Sequence, residues 1–343
     1  MSQTPLLRPE DADERGGDCF KFDLKALCFS KAPTFQQKAG FVCVCVVVCV
    51  VAFGFSLFGR ENVNVIILVS DGFGPASQTL ARNYNAYIKN LGPEALLPLD
   101  HILVGSSRTR SSSSFVTDSA AGATAFSCAL KSYNGAIGVN PDGIPCGTVL
   151  EAAKLRGYLT GLVATSRITH ATPGSFSAHV IDREMEDEIA VQQIGNYSLG
   201  RMVDLAFGGG ACHFKPQTGG NMDSCRLDEK DLLQWGRDKF GWNFVDSVDA
   251  FRGLAVDVRL PILGLLTPDH MSYEIDRDPT KEPSLKEMAL KALDILSHAT
   301  KKTRKGFFIM IEGSRIDMAA HSNDPASHVQ EILAYNEMIQ SVV

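Results

Sequence analysis

Short, strongly apolar runs recur along this chain and alternate with longer segments that have helical character. The clearest runs are Val63–Val69 (VNVIILV), Leu159–Thr165 (LTGLVAT) and Phe307–Ile311 (FFIMI), and Leu263–Thr267 is a shorter one. Continuous apolar runs of this length are typical of strands that are buried on both faces of a parallel sheet. The alternation therefore predicts an α/β fold with a mainly parallel central sheet flanked by helices on both faces.

Helical segments are predicted in the intervals between these runs. They are Ala120–Leu130, Gly147–Arg156, part of Glu186–Leu205, Pro283–Ala299 and Ala326–Val343. We expect Gly208–Gly210 to break the third segment, and Ile102–Arg110 is a further, more polar strand candidate. The net charge of -6 is mild and no dense basic stripe occurs, so the sequence gives no reason to expect nucleic acid as a partner.

The segment Ala39–Phe58 contains no charged residue. A helix rises about 1.5 Å per residue, so a segment of this length can span the hydrocarbon core of a membrane. A core helix is rarely so apolar all round, and a signal peptide usually starts within a few residues of the first Met. We therefore expect 39–58 to be a single transmembrane signal anchor, with a disordered tail at 1–38 and a large domain at 59–343.

Positive charges are concentrated on the N-terminal side of this predicted anchor. Arg60 is the only nearby cation on the other side, whereas four lysines precede the anchor: Lys21, Lys25, Lys31 and Lys38. The positive-inside rule then predicts a type II membrane protein, with its tail in the cytosol and its large domain in an organelle lumen.

Two further features are compatible with a secretory-pathway lumen. Asn196 begins a glycosylation sequon, Asn-Tyr-Ser. Four cysteines lie in the large domain and allow three disulfide connectivities, among which sequence alone does not choose. Local spacing favours the pairs Cys128–Cys146 and Cys212–Cys225.

Polar residues follow three of the predicted strands. Asp71 follows the first, His170 and Thr172 follow the second, and Glu312, Asp317 and His321 follow Phe307–Ile311. Each alone could be a turn residue or a solvated surface group, but ligands of parallel sheets bind at the carboxyl ends of the strands. Zinc takes imidazole nitrogen and carboxylate oxygen, and magnesium prefers oxygen. Asp317 and His321 are four residues apart, which would place them on one face of a helix.

The stretch VTDSAAGATAF, residues 116–126, has two interpretations. In the first, Thr117, Asp118 or Ser119 caps a helix by accepting a hydrogen bond from a first-turn N–H group. In the second, Ser119 is a nucleophile at a helix N-terminus, where the dipole and the free N–H groups favour an anion such as phosphate.

Four motifs, in order, resemble the alkaline phosphatase family: NVIILVSDGFG, VTDSAAGATAF, THATPGSFSAHVIDR and FFIMIEGSRIDMAAH. The sequence is most similar to fungal membrane-anchored members of the vacuolar type, from about Asn62 to its end. The resemblance implies hydrolysis of small phosphomonoesters through a phosphoserine, in the lumen of the vacuole or another organelle. It implies that Ser119 is the nucleophile, that Arg183 binds phosphate and that Asp118 orients Arg183. The oligomeric state stays open, with a homodimer as one option.

The resemblance also implies two Zn²⁺ ions and one Mg²⁺ ion. Asp71 matches a carboxylate shared between magnesium and one zinc, and Thr172 and Glu312 match magnesium ligands. Asp317 and His321 match ligands of the other zinc. His170 matches a position next to the magnesium site, where its neutral ring could hold a magnesium-bound water or merely pack.

One departure from the family pattern affects activity. The family's remaining metal ligands are an Asp-His pair in a DHETGG-like stretch and a further histidine, and no DHETGG-like stretch occurs here. The other histidines match none of these ligands and are expected to be structural or on the surface: His101, His179, His213, His270, His298 and His328. We therefore expect the catalytic domain to be incomplete at its C-terminus and this chain by itself to be inactive.

Two rival functions remain open on the sequence alone. The first is a related phosphodiesterase, nucleotide pyrophosphatase or sulfatase, although those families typically carry threonine or cysteine where Ser119 stands. The second is an inactive membrane-anchored remnant that serves as a binding partner.

Overall fold

The computed structural model describes residues 63–343 apart from 218–223, 302 and 304. The predicted tail, 1–38, and the predicted anchor, 39–58, therefore lie outside the described residues. Within the described ranges, no helix combines the length and the apolar character that a membrane span requires.

A parallel sheet forms the centre of the described part of the chain, as predicted. Its strands lie side by side in the order β1-β6-β2-β3-β5-β4, and every neighbouring pair is parallel. The strands are β1 (Val65–Ser70), β2 (Leu159–Arg167), β3 (Leu205–Gly209), β4 (Asn243–Val245), β5 (Ile262–Leu265) and β6 (Phe307–Gly313).

Helices connect these strands. The α-helices are α1 (Pro75–Ile88), α2 (Ser119–Cys128), α3 (Val149–Leu155), α4 (Ala171–Ser177), α5 (Glu186–Gln193), α6 (Leu232–Trp235), α7 (Val248–Arg252), α8 (Leu285–Thr300), α9 (Arg315–His321) and α10 (Pro325–Val342). Short 3₁₀ segments occupy Pro98–Ile102 and Ala211–His213, and a π-helical turn occupies Gly236–Phe240.

The central strands of the sheet are buried on both faces, which explains why β2 and β6 are continuously apolar. β1 lies at an edge and is only half-buried, with Val65 and Ile66 exposed, so the predicted burial of the Val63–Val69 run on both faces is wrong.

Alternate residues of β6 belong to hydrophobic clusters on opposite faces of the sheet. On one face, Ile309 packs with α8 and α10. Phe308 and Met310 pack with α3, α4 and α5 on the other. Complete burial of one such side chain contributes about 1.5–3 kcal/mol relative to exposure, so this layered core holds the sheet edge in place.

Local capping fixes where several helices begin. Thr148 accepts a hydrogen bond from the Glu151 N–H group, and the Glu151 carboxylate accepts one from the Thr148 N–H group. Ser284 and Glu287 repeat this arrangement at the start of α8. These reciprocal capping boxes satisfy N–H groups that the first helical turn leaves unpaired.

Two secondary-structure predictions are wrong. Ile102–Arg110 is not a strand: after the 3₁₀ segment it runs as exposed coil, with Val104 fully exposed and no ladder partner among the described residues. Part of Glu186–Leu205 is helical, as predicted, but this helix ends at Gln193 and is not broken by the glycines, because Gly208 and Gly209 belong to β3. A β-carbon at Gly209 would overlap the carbonyl oxygen of Asp269, so this glycine permits close strand packing and does not break a helix.

Both disulfides favoured by local spacing are formed. Cys128–Cys146 joins the end of α2 to the loop before α3, and Cys212–Cys225 closes a second loop. Asn196 of the sequon is exposed, and its glycosylation stays a prediction.

Candidate active site

A cleft of about 1770 Å³ lies at the carboxyl edge of the sheet. Eight of the nine predicted site residues line it: Asp71, Asp118, Ser119, His170, Thr172, Arg183, Asp317 and His321. The ninth, Glu312, is fully buried at the end of β6, where it is in register with Val69 of β1 and Ala164 of β2. The convergence that was predicted for the residues following β1, β2 and β6 is therefore confirmed. Asp118, Ser119 and Arg183, which the resemblance added, line the same cleft.

The Ser119 hydroxyl faces Asp71 across the end of the sheet. Its Oγ atom donates to Asp71 and lies 2.9 Å from Oδ2 and 3.2 Å from Oδ1. Asp118 is the N-cap of α2, because its Oδ1 atom accepts from the Ala121 N–H group at 2.9 Å. The capping interpretation is thus right for Asp118. The hydroxyl of Ser119, the first helical residue, takes no part in capping and instead contacts Asp71 in the cleft.

Carboxylates are crowded around this serine. Burial and, after it, the negative charge of Asp317 raise the pKa of Asp71 to about 6. Burial also raises the pKa of Glu312 to about 8, assisted by the charge of Asp71 and opposed by the hydrogen bond from Ser314. Among the described residues, no lysine or arginine forms an ion pair with these three carboxylates. A cation would relieve this concentration of negative charge.

The helix α9 presents its own pair of polar side chains to the cleft. Asp317 and His321 lie on one face, with the His321 Nε2 atom 3.4 Å from Asp317 Oδ2. The His321 side chain is 81% exposed whereas that of Asp317 is 23% exposed. The imidazole is therefore accessible from the open cleft, and the predicted one-face arrangement is confirmed.

Arg183 reaches the cleft from the loop before α5 and contacts two of the predicted residues. Its Nη2 atom is 2.9 Å from His170 Nε2, and its Nη1 atom is 3.4 Å from Asp118 Oδ2. A guanidinium group can only donate, so His170 accepts at Nε2 and carries its proton on Nδ1. Burial and, after it, the positive charge of Arg183 lower the pKa of His170 to about 3. His170 is thus neutral.

A second layer of polar residues, not predicted from the sequence, lies beside His170. The Arg167 Nη1 atom donates to Asp269 at 2.7 Å and lies 2.9 Å from His270 Nε2, while its Nε atom donates to Glu186 at 2.9 Å. The His270 ring packs edge-on against His170, with centroids 5.2 Å apart. His270 was predicted to be structural or on the surface, and it lines the cleft beside the predicted site residues. Applying the carboxyl-edge rule to the TPDH stretch after β5 would have found it.

Among the nine predicted site residues, two have a buried atom with no hydrogen-bond partner in the described part of the chain. These atoms are Glu312 Oε1 and His170 Nδ1. An unpaired carboxylate oxygen beside a second buried carboxylate suits a divalent cation, whose ligands include such oxygens. Another group of possible metal ligands consists of Cys212, His213 and Cys225, whose donor atoms lie within 4.8 Å of one another. Its sulfurs are joined in a disulfide, so it offers no thiolate for a metal.

A parallel α/β sheet with serine, arginine and clustered carboxylates at one edge is an arrangement suited to metal-assisted phosphoryl transfer. The chain belongs to the alkaline phosphatase family: its residues 62–343 match the family described as Alkaline phosphatase.

Curated relatives lie in the same family. The chain is 52% identical over 304 residues to the repressible alkaline phosphatase of Saccharomyces cerevisiae. This alignment covers 85% of this chain and 53% of the yeast protein. It is 53% identical over 279 residues to an alkaline phosphatase of Schizosaccharomyces pombe, and this alignment covers 80% of this chain and 51% of that relative. The chain thus spans about half the length of these relatives.

Solved structures agree with the fold. The alkaline phosphatase of Thermus thermophilus has a TM-score of 0.70 at 33% identity, with 83% of this chain and 56% of that chain covered. The enzyme of the Antarctic bacterium TAB5 has a TM-score of 0.68 at 33% identity, with 82% and 74% covered. A variant of the TAB5 enzyme in which a histidine is replaced by glutamate has Mg bound in its M3 site.

Proposed function

We propose that the full-length protein is a metal-dependent phosphomonoesterase in which Ser119 accepts the phosphoryl group. The observation that supports this most directly is the contact between the Ser119 hydroxyl and Asp71, at the start of a helix in a cleft that also contains Arg183. The family membership and the relatives named alkaline phosphatase support it further. Small phosphomonoesters are the proposed substrates.

The proposed metal ligands are the residues predicted from the sequence. Asp71 would be shared between Mg²⁺ and one Zn²⁺, Thr172 and Glu312 would hold Mg²⁺, and Asp317 and His321 would hold the second Zn²⁺. The unpaired Glu312 oxygen and the raised pKa values of Asp71 and Glu312 fit such cations. When bound, the ions would activate the serine oxygen and stabilise charge that develops on the phosphoryl group.

Neighbouring residues orient the Ser119 hydroxyl as a nucleophile. Its proton is directed toward Asp71, so a lone pair of the oxygen remains available to the phosphorus atom of a substrate. The Asp118 side chain accepts from both the Ala121 and the Gly135 N–H groups. This double anchorage fixes the first turn of α2, and therefore the position of the nucleophile relative to the cleft.

Arg183 is suited to hold the phosphate group that Ser119 attacks. A guanidinium group can donate two parallel hydrogen bonds to phosphate oxygens. Each Nη atom carries two N–H groups, so the contacts with His170 and Asp118 leave one on each for a substrate. His170 and Asp118 would then orient the arginine before the substrate arrives.

Hydrolysis of p-nitrophenyl phosphate by the full-length protein tests this proposal. Ser119→Ala should lower the rate by several orders of magnitude, whereas Ser107→Ala, which removes another hydroxyl from the same cleft, should change it little. The rate on a phosphodiester, bis-p-nitrophenyl phosphate, should be far below the monoester rate in the same preparation. Equal rates for the Ser119 and Ser107 variants, or a preference for the diester, would contradict the proposal.

We further propose the predicted type II topology, with 39–58 as the anchor and the family domain in the lumen of the vacuole or another secretory-pathway organelle. The two disulfides support an oxidising compartment for this domain. Protease added to sealed vesicles should remove only about 4 kDa, the mass of a short tail before a spanning helix. Loss of the entire family domain in intact vesicles would reverse the topology, and addition of detergent is the control that exposes both sides.

A further inference from the structure

Arg315, the first residue of α9, lines the same cleft as Ser119. Its guanidinium carbon lies 3.7 Å from the centre of the Tyr273 ring. A cation–π contact of this kind attracts the guanidinium group to the aromatic face and restricts its orientation. The arginine is therefore a cation that is held in place at the cleft wall.

The guanidinium N–H groups of Arg315 make almost no hydrogen bonds within the described part of the chain. Within the described residues its one hydrogen bond runs from Nη1 to the Met318 sulfur at 3.0 Å, and a thioether is a weak acceptor. Its Nε atom is buried and has no partner there. No carboxylate of the described part forms an ion pair with it, in contrast to Arg82, which lies 2.7 Å from Asp100. Arg315 thus has free N–H groups and no close counter-charge.

Nearby charges do not supply the missing partner. Arg167 is itself paired with Glu186 and Asp269. Glu331 lies on α10 behind Arg315, where its carboxylate accepts a hydrogen bond from the Glu274 N–H group at 2.6 Å. Burial raises the pKa of Glu331 to about 7, although the charge of Arg315 lowers it. Glu331 thus interacts with Arg315 through space, but among the described residues it forms neither a hydrogen bond nor an ion pair with it.

The position of Arg315 connects it with the proposed phosphate site. It lies two residues before Asp317, and its positive charge contributes to lowering the pKa of His270, after burial and Arg167. The His270 ring in turn packs against His170, which contacts Arg183. Arg183 and Arg315 both line the cleft that contains Ser119.

We propose that Arg315 forms a second anion-binding subsite, which takes a carboxylate or phosphate that the substrate carries in addition to the phosphate facing Ser119. This proposal rests on the proposed phosphatase function. A guanidinium group with free N–H donors in a fixed plane binds such anions through paired hydrogen bonds. The subsite favours doubly anionic phosphomonoesters over those with a neutral leaving group.

Titration calorimetry of the full-length protein, loaded with zinc and magnesium, tests the subsite without turnover. The probes are phenylphosphonate and its 3-carboxy and 4-carboxy derivatives, which cannot be hydrolysed. At least one carboxy derivative should bind wild type about tenfold more tightly than phenylphosphonate, as expected for a charge-assisted pair. Arg315→Gln should abolish this ratio with phenylphosphonate affinity unchanged, and Arg315→Lys should restore it only in part. Arg108→Gln removes another cleft cation and should preserve the ratio.

Phenylphosphonate binding to each variant also serves as the control for correct folding, because a merely structural defect would weaken all three probes together. Equal affinities of the three probes for wild type, or a ratio that survives in Arg315→Gln, would overturn the subsite and leave the phosphatase proposal standing. If wild type binds none of the probes, both proposals fail.

Discussion

Gly72 and Asp317 are packed so closely that a β-carbon at residue 72 would overlap the Asp317 Oδ1 atom. Gly72 also has a φ of +60°, a left-handed conformation that residues with a β-carbon adopt at a cost. The turn that contains Gly72 begins with Asp71, the partner of Ser119. The absence of a side chain at residue 72 therefore sets the spacing between two of the proposed metal ligands.

Gly72→Ala is expected to displace Asp317 and to lower both zinc affinity and activity. The strained φ alone should reduce the free energy of unfolding by about 1–2 kcal/mol. Gly74→Ala is the matched control, because Gly74 has a φ of -113° and a β-carbon added there would meet no atom within 4 Å. Chemical denaturation and bound zinc would be measured for both variants. Equal zinc content in both would show that the Gly72 contact does not control the ligand spacing.

Arg183 is expected to serve phosphate affinity through its two-pronged geometry. Arg183→Ala should weaken inhibition by inorganic phosphate markedly, and Arg183→Lys should restore it poorly, because lysine cannot offer two parallel donors. Inhibition constants for phosphate, measured with p-nitrophenyl phosphate as substrate, would decide this. An unchanged constant in the alanine variant would remove Arg183 from the phosphate site.

His179 should give the protein a pH-dependent increment of stability. Its Nδ1 and Nε2 atoms lie 2.6 Å from Gly138 O and 2.8 Å from Glu151 Oε1, and only a protonated imidazole can donate to both. Burial lowers the pKa of His179, but these hydrogen bonds outweigh it and the net shift is upward from 6.5. The stabilisation is therefore complete below about pH 6.5 and is lost as the pH rises through the folded-state pKa.

Unfolding free energies of wild type and His179→Gln would be compared between pH 5.5 and about pH 9, a range that brackets ordinary histidine titration. The difference should be largest at the acid end and should shrink as the pH rises. His298→Gln is the control, since His298 is exposed. A difference that grows with pH would contradict the assignment of a protonated His179.

Much of the fold was predictable because its central strands are buried on both faces. Such strands are apolar without interruption, as in Phe307–Ile311, and the pattern is visible without knowledge of their neighbours. β3 was missed because two of its five residues are glycines, whose role depends on close packing against the Asp269 backbone. Ile102–Arg110 has a strand-like composition, but no described strand lies beside it to pair with.

The site was predictable to the extent that one rule applied to it. The residues after β1, β2 and β6 converge because parallel strands end at one edge. Arg167 and Arg315 were missed because their contacts join distant segments, whereas His270 was missed because the carboxyl-edge rule was not applied to the residues after β5. The ring contact of His270 with His170 and the stacking of Arg315 on Tyr273 leave no periodic signal in the sequence.

Transfer of the phosphoryl group to Ser119 is the step on which the proposed function depends, and mapping of the covalent intermediate is its decisive test. Full-length protein would be mixed with a radiolabelled phosphomonoester, quenched in acid and digested, and the labelled peptide would be sequenced. We expect label on Ser119 and none in the Ser119→Ala variant, with Ser107→Ala labelled like wild type. Label on a different residue, or equal labelling of the Ser119→Ala variant, would contradict the assignment of Ser119 as the nucleophile.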